Sequence, residues 1–107
     1  MQSHQVISLV TTQAVAVGVS AGRTTQSANA VAVGGYAGQT SQGVSAVAVG
    51  LSSGKTTQGD YATAIGDRAG ETSQGTQSVA VGLLAGNSGQ GANGILINSS
   101  GSALNDT

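Results

Sequence analysis

The chain lacks several residue types that small proteins use to stabilise a fold. Among its 107 residues there is no Cys, Pro, Trp or Phe, and the aromatic residues are Tyr36 and Tyr61. Without Cys, no disulfide can brace a small core and no thiolate metal site can form. A core of small side chains buries little apolar area per residue, so a single chain of this length is marginal. The lack of Pro leaves every backbone N–H able to join a hydrogen-bond ladder.

Charged residues are also scarce. Three basic and four acidic residues give a formal net charge of −1, whereas a nucleic-acid partner requires clustered Lys and Arg. We therefore expect no nucleic-acid binding. No stretch approaches the ~20 apolar residues of a membrane span, so we expect no membrane insertion. Met1–Val10 lacks the basic start of a signal peptide. The chain is therefore exported by another route, belongs to a virion, or is a piece of a longer protein, and we favour the last of these.

One five-residue phrase recurs along most of the chain. Ala46-Val47-Ala48-Val49-Gly50 is its clearest form, and copies begin at residues 14, 30, 62, 78 and 94, a strict period of 16. A fixed short period is typical of solenoids, in which each repeat buries its apolar side against its neighbours. The sequence therefore predicts a β-roll over residues 14–107, preceded at residues 1–13 by an N-terminal cap or the frayed end of an upstream segment.

Each repeat has two halves. Ala-Val-Ala-Val alternates with period two and predicts a short strand, and two glycines four residues apart, such as Gly50 and Gly54, predict a tight turn. A Thr-Thr-Gln or Thr-Ser-Gln segment then predicts a second strand and a second turn. A helix is the competing interpretation for an Ala-rich sequence. However, the Ala-Val runs are only four residues long and are followed by glycine, so they are too short to nucleate a helix. We expect coils stacked at ~4.8 Å.

Both faces of the Ala-Val strand are apolar. The Val residues lie on one face and the Ala residues on the other, and a strand apolar on both sides is typically buried on both. One face can line the inside of the coil, while the other needs a cover, for which further copies of the chain are the simplest source. We expect Ala48→Asp to abolish assembly, because it places an unpaired charge where no water reaches.

The second half of the repeat carries two polar columns, each formed by equivalent residues of successive repeats. Stacked amides can hydrogen-bond from coil to coil, so for one column we favour a structural ladder over a sugar-binding strip. Its members are Gln26, Gln42, Gln58, Gln74 and Gln90. Thr24, Thr40, Thr56 and Thr72 form the other column, and the alternative function is an ice-binding β-solenoid that uses this Thr/Gln face.

The turn after the Ala-Val strand varies most between repeats. Several of its residues are larger and more apolar than a solvated turn requires, and two others are charged. Together they are the candidates for a receptor site or a contact between chains, with the inter-chain contact favoured. They are Tyr36, Leu51, Asp67, Arg68, Leu83 and Leu84.

Catalytic chemistry finds little support. His4 is the only histidine and lies outside the repeats, so no Ser-His-Asp or zinc-binding arrangement is available within them. Asp67 and Glu71 could flank a turn as a glycosidase pair does, but no polar cleft is indicated. We expect a protein that is not an enzyme, with no catalytic residues, bound metal or cofactor.

The repeats resemble the head repeats of YadA-type trimeric autotransporter adhesins. Ser78–Gly82 and Ala62–Gly66 are the closest copies, and the form at Ala37–Gly43 and Ala69–Gly75 is also similar to repeats of phage tail fibres and large-virus fibre proteins, which end in phrases like Gly94–Asn105. The resemblance implies a left-handed parallel β-roll and a parallel homotrimer with the Ala-Val strand innermost. It further implies a structural or adhesive fibre segment on a virion or the bacterial outer surface, with a host glycan or protein receptor as partner.

Overall fold

The chain folds as an all-β solenoid. The computed structural model describes residues 13–102, so the expected cap at residues 1–13, apart from Gln13, and the tail at 103–107 lie outside the described residues. Residues 13–102 contain no helix and form nine short strands. The strands are β1 (Val15–Val17), β2 (Thr24–Gln26), β3 (Val31–Val33), β4 (Thr40–Gln42), β5 (Val47–Val49), β6 (Thr56–Gln58), β7 (Thr63–Ile65), β8 (Val79–Val81) and β9 (Ile95–Ile97).

The strands pair in parallel with a register of one repeat. A six-stranded sheet runs β1-β3-β5-β7-β8-β9, and a three-stranded sheet runs β2-β4-β6. Val15 lies opposite Val31, and Thr24 lies opposite Thr40. Each coil therefore hydrogen-bonds to the coils above and below it, which confirms the predicted β-solenoid, here of about five turns.

The second side of the roll is less regular than predicted. Strands form on this side in three repeats. In the next two repeats the pairing is reduced to isolated β-bridges at Thr72 and Ser88. The middle residue of each segment is left-handed, with φ of 56° at Thr25, 57° at Ser41 and 55° at Thr57. A left-handed residue breaks the alternation of a pleated strand, so this side of the roll bends.

The turn after each strand brings successive coils very close together. In the fourth coil, Ala69 N donates to Gly66 O at 3.1 Å, and the third turn residue, Arg68, has φ of 59°. Such a turn favours a residue that tolerates positive φ at this position. A Cβ on Gly66 would lie 2.7 Å from the carbonyl O of Gly82 in the next coil. Glycine is therefore needed at residue 66 for this close approach as well as for its own positive φ.

Alanine side chains line the inside of the coil. Ala32, Ala48, Ala64 and Ala80 are fully buried. The Val residues on either side of Ala32, Ala48 and Ala80 are only partly buried, and beside Ala64 the residue Thr63 is partly buried and Ile65 is exposed. The expectation for Ala48→Asp therefore needs correction, because Ala48 lies inside its own coil. A charge there would disrupt the single chain before it affected assembly.

Glutamine side chains fill the rest of the interior. Gln58 Nε2 donates to the carbonyl O of Val47 at 2.8 Å across the coil, and to Oε1 of Gln74 in the next coil at 3.0 Å. Gln26, Gln42 and Gln74 repeat this pair of bonds. Each amide therefore ties one wall of a coil to the other and one coil to the next.

The residues around the amides are correspondingly small. A Cβ on Gly54 would lie 2.8 Å from Cδ of Gln58, so the second glycine column leaves room for the Gln side chain. Where Ser replaces Ala in the interior, its hydroxyl has a partner: Ser53 Oγ donates to Ala64 O at 2.7 Å, and Ser78 Oγ donates to Gly75 O at 2.6 Å. The interior is thus narrow, polar along one side and hydrogen-bonded throughout its length.

Asn98 ends the series of coils. It stands where earlier repeats have glycine, and it is 6% exposed. Its Nδ2 donates to Leu83 O at 2.9 Å, and its Oδ1 accepts from Ser100 N at 2.9 Å and from Ser100 Oγ at 2.7 Å. One side chain therefore satisfies several groups beside β9, the last strand of the described sheet.

Replacing one ladder amide by an apolar side chain of similar length should destabilise the fold. Gln58→Met removes the hydrogen bonds that Gln58 makes with Val47 O, Gln42 Nε2 and Gln74 Oε1, and we expect a loss of about 3 kcal/mol in the free energy of unfolding. Urea titration at fixed protein concentration measures it. Thr57→Val, on an exposed neighbour, is the control and should stay within about 0.5 kcal/mol. Equal stability of the two variants would refute the role of the ladder.

Candidate functional site

The outer side of the six-stranded sheet is apolar, and we call it the valine face. It consists of the first and third residue of each strand of that sheet: Val15, Val17, Val31, Val33, Val47, Val49, Thr63, Ile65, Val79, Val81, Ile95 and Ile97. The Val side chains are half-buried, while Ile65 is 41% exposed, Ile95 71% and Ile97 70%. A continuous apolar surface of this kind typically marks an interaction site.

One row of turns borders the valine face where its strands end, and we call it the first edge. All six candidate residues of the sequence analysis lie on this edge. They occupy the turns that follow β3, β5, β7 and β8, and they are Tyr36, Leu51, Asp67, Arg68, Leu83 and Leu84. Tyr36 is 41% exposed, Leu51 47% and Leu83 43%. The structure therefore brings these residues into one row beside the apolar surface.

Two charged contacts are present on the first edge. Arg68 Nε lies 3.7 Å from Asp67 Oδ1, with both side chains about half exposed. Lys55 Nζ lies 5.6 Å from the centroid of the Tyr36 ring, within the range of a cation–π contact. Tyr36 was predicted from the sequence but its pairing with Lys55 was not, because the two residues are 19 positions apart in sequence. They meet because consecutive coils stack.

The opposite border, where the strands begin, holds a residue that the sequence analysis missed. We call this border the second edge; it contains Val44, Asp60 and Tyr61. Tyr61 is 58% exposed, more than Tyr36, and Asp60 Oδ1 accepts a hydrogen bond from Val44 N at 2.9 Å. The available signal was the size of Tyr61, since the equivalent residues are Asn29, Ser45, Gln77 and Asn93.

The Thr/Gln face of the ice-binding alternative is not present. The Gln column lies inside the coil, with Gln42 fully buried and Gln58 2% exposed, because the left-handed residue between Thr and Gln turns the two side chains to opposite sides. Thr57 and Ser73 are instead exposed beside the Thr column. That second hydroxyl column ends at Gly89, so this outer side has no regular array along the whole solenoid.

The acidic residues are dispersed. Asp67, considered as half of a glycosidase pair with Glu71, is 47% exposed and paired with Arg68. Within residues 13–102, no three His, Cys, Asp or Glu side chains are grouped so as to hold a metal ion. A search of the same residues for a helix long and apolar enough to cross a membrane finds none.

A comparison of this chain with protein-family models, with curated proteins and with solved structures finds no match. The functional interpretation therefore rests on the valine face and the two edges that border it.

Proposed function

We propose that this chain is a non-enzymatic segment of a fibre on a virion or a bacterial outer surface, and that it works as a parallel homotrimer. The observation that carries the proposal is the valine face. The interior of the single chain is filled by Ala and Gln, so the exposed Ile and half-buried Val side chains of this face remain in contact with water. Burying apolar surface contributes roughly 25 cal/mol per Å², so association through this face is favourable.

A second copy of the chain is the partner that fits this face best. Successive coils present the same pair of columns at the same register, apolar at every position except Thr63, so parallel copies meet coil by coil along their whole length. Most soluble homo-oligomers are closed and symmetric. Three flat faces close around one axis, leave the Thr side in solvent and bring the turns of neighbouring copies side by side, which agrees with the resemblance to trimeric adhesin repeats.

The same architecture suits a fibre. Hydrogen bonds run from coil to coil on both sides of the roll and through its interior, so a trimer of such rolls is a stiff rod. Each exposed residue recurs three times around the axis, and weak contacts with a surface glycan or protein receptor then combine multivalently. The segment thus positions a separate tip, or adheres through its own turns.

A charge on the valine face should prevent assembly without unfolding the chain. Ile65 is 41% exposed, so Ile65→Lys places the ammonium group in water in the monomer but in an apolar interface in the trimer. We expect light scattering to give a trimer for the native chain and a folded monomer for Ile65→Lys. Thr57→Lys, on the opposite side of the coil, should remain trimeric. A folded native monomer at micromolar concentration would contradict the proposal.

Adhesion is tested with the native trimer on an array of bacterial and animal surface glycans. If the first edge binds, Tyr36→Ala should weaken retention about tenfold or more, because each trimer loses three aromatic contacts. Tyr36→Phe keeps the ring and should retain binding. If Tyr36→Ala does not change retention, the receptor site lies elsewhere. If the native trimer binds no glycan or cell surface, the segment is a spacer.

A further inference from the structure

The two edges of the valine face carry complementary charge at the same height. β7 is preceded on the second edge by Asp60 and Tyr61 and followed on the first edge by Asp67 and Arg68. Asp60 and Arg68 are eight residues apart, half of a 16-residue coil, so their heights along the solenoid differ by less than one coil spacing of ~4.8 Å. Of the described residues on the second edge, Asp60 is the only one that is charged.

Both charged groups keep free capacity for a further partner. Asp60 is exposed, and only its Oδ1 accepts the hydrogen bond from Val44 N. The Arg68 side chain is 56% exposed, and its Nε lies 3.7 Å from Asp67 Oδ1. A guanidinium has five N–H donors arranged as a fork, so its terminal nitrogens remain available to a second carboxylate.

Rotational symmetry decides which groups meet between copies. When parallel chains turn their valine faces to a common axis, the first edge of each copy lies beside the second edge of the next, and the contact is heterologous and closes into a ring. Residues at the same height then face each other. Arg68 of one copy is thereby brought to Asp60 and Tyr61 of its neighbour.

We propose that Arg68 of each copy binds Asp60 of the neighbouring copy, with the Tyr61 ring of that neighbour packing on the guanidinium, and that this contact sets the register of the trimer. The proposal rests on the proposed function. A slip of one coil would place Arg68 opposite Val44 and Ser45, or opposite Thr76 and Gln77, none of which is charged. An antiparallel arrangement would bring first edge to first edge and leave Asp60 without a partner. The Arg68–Asp60 contact therefore disfavours both the slipped and the antiparallel arrangement. The nearly uniform valine face alone does not distinguish them from the correct one.

Cysteine cross-linking tests the contact directly, because the native chain contains no Cys. The variant is Asp60→Cys with Arg68→Cys. Within one chain these positions lie at opposite ends of β7, separated by more than the ~7 Å that a disulfide spans, so oxidation can only join different chains. We expect a covalent trimer on a non-reducing denaturing gel. Asp60→Cys with Ser20→Cys is the matched control, since Ser20 lies in the column of Arg68 but three coils away, and it should stay unlinked.

The outcomes separate this inference from the proposed function. A trimer in light scattering that gives only single chains on the gel overturns the Arg68–Asp60 contact and leaves the trimer standing. Covalent dimers alone, or equal linkage in the Ser20→Cys control, also overturn it. A chain that light scattering finds to be monomeric overturns the proposed assembly itself.

A double-mutant cycle supplies a second readout with little risk to folding. Asp60→Asn keeps an oxygen for Val44 N and removes only the charge, and Arg68→Gln removes the guanidinium. Each single variant should raise the trimer dissociation constant about tenfold, because three rim ion pairs are lost per trimer, and the double variant should be no weaker than either single one. Arg23→Gln is the control for net charge and should change the constant less than about twofold. Additive effects of the two substitutions would overturn the proposal.

Discussion

The hydrogen-bonded column of glutamine amides is the interaction on which the rest of this structure depends. Each amide bonds to a strand carbonyl across its own coil and to the amide of the next coil, and a buried amide left without partners is costly. The interior must therefore match the amides at every level. Alanine on the facing wall and glycine at positions such as Gly54 provide the space, and the strict 16-residue period keeps successive amides in register. An insertion inside a repeat would break the column.

A consequence of this interior is that the larger apolar residues are outside. An ordinary single-chain domain buries Val, Ile and Leu preferentially, whereas here the fully buried residues are mainly Ala and the ladder Gln, and Ile95 is 71% exposed. The apolar residues that would stabilise a monomer instead form a strip along one side. In the homotrimer that we propose, association between copies covers this strip, so the proposed structural role depends on the same apolar residues that the single chain leaves exposed. The charged residues near the strip lie on its edges, where our proposal has them align the copies.

Much of the fold could be predicted from the sequence, because the repeat period gives the length of a coil and the alternation of residues indicates a strand. The spacing of Ala46–Gly50 and its copies predicted parallel stacking with a one-repeat register, and the structure has that register. The facing of the Ala-Val strand did not follow, since Ala48 and Val49 are both apolar and alternation alone does not say which enters the coil. The Thr/Gln face was wrong for a related reason: a positive φ at Thr57 reverses the expected alternation, and Thr carries no mark of that conformation. Tyr61 could have been recognised by its size but was not selected, whereas the Lys55–Tyr36 contact joins two neighbouring coils and is therefore not visible in a single repeat.

The central claim, that buried glutamine amides join the coils, is tested most directly by proton exchange of side-chain amides in NMR spectra. The account predicts that both Nε2 protons of Gln42 and Gln58 exchange as slowly as the strand amide of Val47, which is bonded to Ala62 O, because each proton is held by a buried acceptor. Gln77 is exposed and supplies the fast reference within the same sample. Exchange of the Gln42 and Gln58 amides at the rate of Gln77 would contradict the account.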